Sequence, residues 1–172
     1  MLNRIEVEAG WRYLDVGCGT GAVARRVAET RALEVTGVDV DPEQIQAARA
    51  GIALPNLRYL PMDAMRLEFA DGEFDIVATN KTTHHIPDWE RAFREMTRVL
   101  RPGGYLIYND FIVPGWLAAL GRRLLPSAGF PTRSAISTLA EQAGLRRVYC
   151  SGGPVQMDVI WRKEEGGTIG GS

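Results

Sequence analysis

Cysteine and histidine are scarce in this chain, with two of each among 172 residues, and there is no excess of either charge: 20 lysines and arginines stand against 21 aspartates and glutamates, a formal net charge of −1. Cys18 and Cys150 are far apart, and the first lies in a glycine-rich run. A disulfide framework is therefore not expected, and free thiols point to an intracellular, cytoplasmic protein. His84 and His85 are adjacent and have no cysteine or acid at ligand spacing, so no metal site is expected. The near-neutral balance offers no bulk charge to hold a nucleic acid or a membrane surface. No run approaches the length of a membrane span, and Met1 to Gly10 carries charges throughout with no apolar stretch of signal-peptide type.

The composition that is present, 45% hydrophobic and 24% charged, is that of an ordinary globular domain. We expect one domain over residues 1–163 and a disordered Gly-rich tail over 164–172. The rest is organised around Tyr13-Leu14-Asp15-Val16-Gly17-Cys18-Gly19-Thr20-Gly21-Ala22. Tyr13 to Val16 reads as a short buried strand, and Val23, Ala24, Val27 and Ala28 as the apolar stripe of a helix. Three glycines on alternate positions join them. Glycine tolerates the positive φ such a bend requires. The bend is expected to leave bare N–H groups facing outward, a seat for an anionic or polar ligand at the positive end of the helix.

Two cofactor classes share that outline. Gly17-x-Gly19-x-x-Ala22 fits the dinucleotide fingerprint, which would make the chain an NAD-dependent oxidoreductase. Counting from Asp15 instead gives Asp-x-Gly-x-Gly-x-Gly. A carboxylate at the strand end suits a ligand carrying an ammonium group and would repel a pyrophosphate.

Further strands are expected over Leu33–Asp39, Leu57–Met62, Phe74–Thr79 and Tyr105–Asp110. Helices are expected from Asp41 (N-cap, with Pro42 in the first turn and Gln44 closing a capping box) to Gly51, and from Asp88 to a stop at Pro102-Gly103-Gly104. Strands and helices alternating at short intervals imply parallel βαβ units in a doubly wound sheet. The ending differs. A helix over Arg133–Ala143 precedes two strand-like runs, Arg146–Cys150 and Val155–Arg162, joined by Ser151-Gly152-Gly153-Pro154, a hairpin signal and hence an antiparallel strand.

LDVGCGTG, VTGVDVDP, LPMDA, FDIVATN, HHIPD and RVLRPGGYLIYND, followed by the terminal hairpin and together covering roughly residues 11–163, resemble the class I S-adenosylmethionine-dependent methyltransferases, in particular the small-molecule branch of the ubiquinone/menaquinone-biosynthesis type. The resemblance implies a three-layer α/β/α Rossmann-like fold whose seven-stranded sheet has the order 3-2-1-4-5-7-6, with the last strand antiparallel. It implies S-adenosylmethionine as cofactor and S-adenosylhomocysteine as product. Gly17, Cys18, Gly19 and Gly21 would pack on the methionyl and ribose portions, and Asp15 would orient the ammonium side directly or through water. Asp39 would accept both ribose hydroxyls, and Asp63, beside Met62 and Ala64, the exocyclic amine of adenine. Val40 would line the ring face. Asn80 and Lys81 fall at the carboxyl edge of the sheet, where ligands of open α/β folds bind.

Structural roles compete with several of these. Asp15 could cap the loop, Asp63 could serve a turn, and Cys18 reads as a small filler and not a nucleophile. One of His84 and His85 would stand beside the acceptor as hydrogen-bond partner or base, against the plainer reading that one packs on the sheet and the other faces solvent. Methyl transfer does not require a base, since the protein's main task is alignment. Lys81 departs from the small or apolar residue usual in the family. No Pro-Pro-aromatic run follows Asn80, which together with the near-neutral charge argues against DNA or RNA as substrate; the expected acceptor is a small molecule, of apolar or lipid-like kind.

Pro114–Leu125 reads as a helix with Trp116, Leu117, Leu120 and Leu124 apolar and Arg122 and Arg123 polar. It is expected to pack on the sheet or its own loop, the alternative being a roof over the acceptor pocket or a face docked on a partner or lipid surface. About ten residues precede Trp11, where family members commonly carry several covering helices. The expectation is thus an open site or a homodimer, with a non-catalytic cofactor-binding subunit of a methyltransferase complex as a third reading.

Overall fold

A computed structural model describes residues 1–125 and 128–165. From residue 166 onward, the segment expected to be a disordered tail lies outside the described residues. A short 3₁₀ turn (Leu2–Arg4) leads into β1 (Arg12–Val16), α1 (Ala22–Thr30), β2 (Glu34–Asp39), α2 (Pro42–Arg49), β3 (Leu57–Pro61) and β4 (Phe74–Asn80). A second 3₁₀ turn (Thr83–His85) precedes α3 (Trp89–Val99), β5 (Leu100–Phe111), α4 (Gly115–Leu124), α5 (Arg133–Gln142), β6 (Leu145–Ser151) and β7 (Gln156–Lys163).

The seven strands form one sheet in the order β3-β2-β1-β4-β5-β7-β6. β1 to β5 pair in parallel, and β7 lies antiparallel between β5 and β6. The two-residue period of the strands sorts their side chains onto two apolar layers. On one face Leu14, Val77, Leu106, Tyr108 and Trp161 pack under Phe93 and Met96 of α3 and Ile136 and Leu139 of α5. On the other, Tyr13, Val35, Ile76 and Ile107 pack under Ala24 and Val27 of α1 and Ile45 and Ala48 of α2. Phe93, Tyr108 and Trp161 meet edge to face with ring centroids 5.9–6.2 Å apart, the arrangement aromatic quadrupoles favour.

Helix boundaries follow local capping chemistry. Asp41 accepts from the Glu43 N–H at 2.8 Å and Pro42 occupies the first turn of α2. Thr132 accepts from the Ala135 N–H at the start of α5. Lys163 of β7 donates to the carbonyls of Thr97 and Leu100 at 2.7 and 2.8 Å, capping the far end of α3 with a cation.

Two sequence expectations need correction. Pro102-Gly103-Gly104 does not stop α3. The helix ends at Val99, and the triplet is an irregularity within β5, which pairs Leu100 with Phe74 and then Tyr105 with Ile76. A Cβ on Gly104 would lie 2.6 Å from the Asp75 carbonyl, so this close approach of backbones requires glycine. The second correction concerns α4, which does not bury its leucine stripe. Trp116, Leu120 and Leu124 are 71%, 49% and 65% exposed, and the helix rests on the molecule through Ala118 and through Gly121 against the Phe130 ring.

Candidate functional site

A cleft of about 510 Å³ opens at the carboxyl ends of β1 to β4. Gly17, Gly19, Asp39 and Val40 form one part of its wall, Met62 to Met65 a second, and Lys81, Thr82 and His85 to Pro87 a third.

The bend after β1 is built from positive φ at Gly17 (+73°), Gly19 (+52°) and Gly21 (+79°). Its N–H groups are not bare, which corrects the expectation drawn from the sequence. Those of Gly17 and Cys18 donate to the Val38 carbonyl at 2.8 and 2.9 Å, that of Gly19 to Asp39 Oδ2 at 2.8 Å, and that of Gly21 to the Cys18 carbonyl at 2.9 Å. These four donors are spent inside the protein, so the bend serves a ligand by its shape. The glycines differ in purpose. A Cβ on Gly17 would strike the Thr82 side chain at 2.1 Å, and one on Gly21 the Tyr59 hydroxyl at 2.3 Å. A Cβ on Gly19 would meet nothing nearer than Gln44 Oε1 at 3.7 Å, so at this position the missing side chain leaves the cleft open.

Asp39 ends β2 with Oδ2 accepting from Gly19 and Oδ1 from the Asp41 N–H at 3.0 Å. A carboxylate offers about four lone-pair sites, so acceptor capacity remains. Asp63 follows β3 and accepts from the Met65 N–H at 2.8 Å, which shapes the turn and keeps the carboxylate at the cleft. Met62 and Ala64 flank it, and Val40, 69% exposed, presents an apolar face at the rim. Gln44, expected to close a capping box, lines the cleft instead.

The third wall hangs from a residue that the sequence reading did not single out. Asp110 is completely buried at the end of β5. Its Oδ2 accepts from the N–H groups of Thr82 and Thr83 and from the Thr83 hydroxyl at 2.6–3.0 Å; its Oδ1 accepts from the Phe111 N–H at 2.7 Å and lies 2.5 Å from His84 Nδ1. Tyr108 adds its hydroxyl to Thr83 at 2.6 Å. Lys81, with φ +55°, is the one non-glycine residue of positive φ among the described residues, and it marks the sharp bend into this loop. His84 is held by Asp110 and stacks 3.9 Å from His85, and of the two only His85 lines the cleft.

Four residues assigned to the cofactor from the sequence stand outside the cleft wall: Asp15, Cys18, Gly21 and Asn80. Asp15 shares the face of Tyr13, and its carboxyl is buried against the start of α1. Burial lifts its pKa to about 7, opposed by the Ala24 N–H and aided by the charge of Asp39. Its Oδ2 has no partner, nor do Thr79 Oγ1 and Asn109 Oδ1, and all three residues border a second cavity of about 480 Å³, which shares no lining residue with the cleft, together with Asn80. Cys18 is buried, and its thiol is pushed up to about 12, which keeps it protonated and inert.

The residues fit an adenosyl donor. Two carboxylates at neighbouring strand ends, apolar surface at Val40 and Met62, and the side-chain-free approach at Gly19 match hydroxyls, a ring face and a close backbone contact. A methyltransferase-domain family matches residues 14–108. The methyltransferase GfsG of Streptomyces halstedii is 36% identical over 143 residues, covering 81% of this chain and 51% of that protein. The fatty-acid O-methyltransferase of Mycolicibacterium smegmatis is 37% identical over 116 residues, 64% of this chain and 42% of that protein. Among solved structures, the [4+2]-cyclase SpnF superposes with a TM-score of 0.80 at 23% identity, covering 95% of this chain and 79% of SpnF, which is a likeness of fold. The chain spans about half the length, or less, of the relatives it matches. With the family match extending over more than half of its residues and the expected strand order in place, the chain belongs to the class I S-adenosylmethionine-dependent methyltransferases.

Proposed function

We propose that this chain is a cytoplasmic methyltransferase acting on a small acceptor of apolar or lipid-like kind, with S-adenosylmethionine held in the 510 Å³ cleft. The observation that carries this reading is the pair Asp39 and Asp63, two carboxylates that follow adjacent strands and line the same cleft, with His85 on its third wall. When bound, the cofactor supplies a methyl group already activated on a sulfonium sulfur and is released as S-adenosylhomocysteine.

Asp39 is pre-oriented by its bonds to Gly19 and Asp41, and its remaining lone pairs accept the two ribose hydroxyls. Asp63 accepts the adenine amine, and Val40 covers the ring. The Asp15 carboxyl lies outside the cleft wall, so in this reading it acts on the ammonium side through water and not directly. Asn80 and Lys81 border the amino-acid end. An acceptor entering along Lys81 to Pro87 meets His85, whose imidazole takes the acceptor's proton where an oxygen or nitrogen is methylated. The fatty-acid relative favours an apolar acceptor. No nucleic-acid partner is part of this reading.

Calorimetry with S-adenosylhomocysteine tests it. The parent chain should bind, and Asp39→Ala, which removes charge-assisted hydrogen bonds of about 1.5–3 kcal/mol, should bind at least about tenfold more weakly. Circular dichroism of the variant separates lost binding from lost fold. Undiminished affinity in a folded Asp39→Ala protein would remove the ribose assignment. Binding without any turnover of apolar acceptors would favour the non-catalytic subunit.

A further inference from the structure

α4 carries an exposed apolar surface that the cleft does not explain. Trp116, Leu120 and Leu124, spaced four residues apart, form a stripe along one side of the helix, flanked by the exposed Leu117 and Arg123 and continued by Leu125. A ten-residue helix is about 15 Å long, so the stripe is a continuous apolar strip and not a scatter of single residues. Charge is distributed just as unevenly. From Phe111 to Ala140 there is no aspartate or glutamate, while Arg122, Arg123 and Arg133 fall in that stretch, although the chain as a whole is balanced at −1.

The strip is tied to the cleft. Phe111, just before α4, packs edge-on against His84 at 5.2 Å with Lys81 Nζ 5.4 Å above its ring. Beyond α4, the Gly129 N–H donates to the His84 carbonyl at 3.0 Å, and Phe130 seats Gly121. Both ends of the α4 segment are thus fastened to the loop that forms the third wall.

From these observations we infer that the outward face of α4 docks on an anionic lipid bilayer. This inference rests on the reading of the cleft as a site for an apolar acceptor, since an acceptor dissolved in the bilayer would then be taken up beside Lys81 to Pro87. A helix with tryptophan and leucine on its outer strip, arginine at its flank and no acid is suited to lie at the boundary of headgroups and acyl chains. Charge decides between occupants. A second copy of the chain placed strip to strip about a twofold axis would bring the exposed Arg123 of both α4 helices together, whereas anionic headgroups neutralise it. One short helix makes a reversible contact, compatible with repeated delivery of acceptor and release of product.

Sedimentation of the full chain with vesicles tests this. Equimolar phosphatidylcholine–phosphatidylglycerol vesicles should bind it at least about tenfold more strongly than pure phosphatidylcholine, and salt at about 0.5 M should erase most of the difference. Leu120→Glu/Leu124→Glu should lower vesicle binding at least about tenfold while leaving S-adenosylhomocysteine affinity at the parent value. Quenching of Trp116 by brominated lipid, absent in Trp116→Phe, should place the strip in the acyl region. Equal binding to neutral and anionic vesicles, or unchanged binding of the double variant, overturns the inference. So does a parent dimer that the double variant splits without any vesicle binding. Vesicle binding with no S-adenosylhomocysteine affinity would instead strike at the proposed function.

Discussion

At the scale of single residues, the most consequential group is Asp15. Its carboxyl is buried with Oδ2 unpartnered, and desolvation outweighs the Ala24 N–H, so its pKa rises from 3.8 to about 7. The folded state therefore binds the extra proton between those values. Stability is highest below 3.8 as far as this group is concerned, falls as pH rises through the window, and is fully reduced above about 7. A shift of that size corresponds to a few kcal/mol. Asp15→Asn, which stays neutral, should melt at a higher temperature than the parent at about pH 8, and the advantage should vanish by about pH 4. Differential scanning calorimetry across that range checks both the sign and the window. The side on which Asp15 falls was legible beforehand. Tyr13 and Asp15 alternate with Leu14 and Val16, so a two-residue period already sets the carboxyl on the α1 face and away from the cleft.

At the scale of elements, the turn Thr83–His85 and the loop around it depend on Asp110. Local sequence gave no sign of this, because YLIYND reads as a strand ending in an acid, and the partners lie 26 to 28 residues earlier. Such a role emerges only when β4 and β5 are paired and their carboxyl ends stand side by side. Asp110→Asn keeps the shape but sets an amide donor among N–H and hydroxyl donors. Leaving buried donors unpaired costs about 1–3 kcal/mol each, so urea denaturation should show a loss of about 3 kcal/mol or more. Histidine exchange seen by NMR should report a His84 ring released from its contact with Asp110, which general loss of packing elsewhere would not single out. The glycine bend teaches the complementary lesson. Its glycines were identified from spacing, but the use of its N–H groups was not, because that depends on how closely β2 passes.

At the scale of the whole molecule, sheet order was the most legible property. Short apolar runs separated by capped helices imply parallel crossovers, and the Gly-Gly-Pro turn marks the one hairpin. Those cues and the family resemblance agree with β3-β2-β1-β4-β5-β7-β6. The irregular start of β5 was hidden because proline and glycine are read as terminators, while here the strand re-forms beyond them. A chain shortened to end at Val155 should lose cooperative thermal unfolding by circular dichroism. It forfeits Met157, Val159, Ile160 and Trp161, all buried, at about 1.5–3 kcal/mol each, a loss comparable to a domain's entire stability. A cooperative melt in the shortened chain would show that β1 to β5 suffice.

The position of β7 has a further consequence for biosynthesis. Among the described strands β6 pairs with β7 alone, yet β6 leaves the ribosome first. Until β7 is in place β6 has no strand partner and the outer ladder of β5 is bare, so the sheet is completed by setting the last strand between them. That interval is when the growing polypeptide is most open to mispairing with a neighbour, and when a chaperone that shields bare strands would help it most.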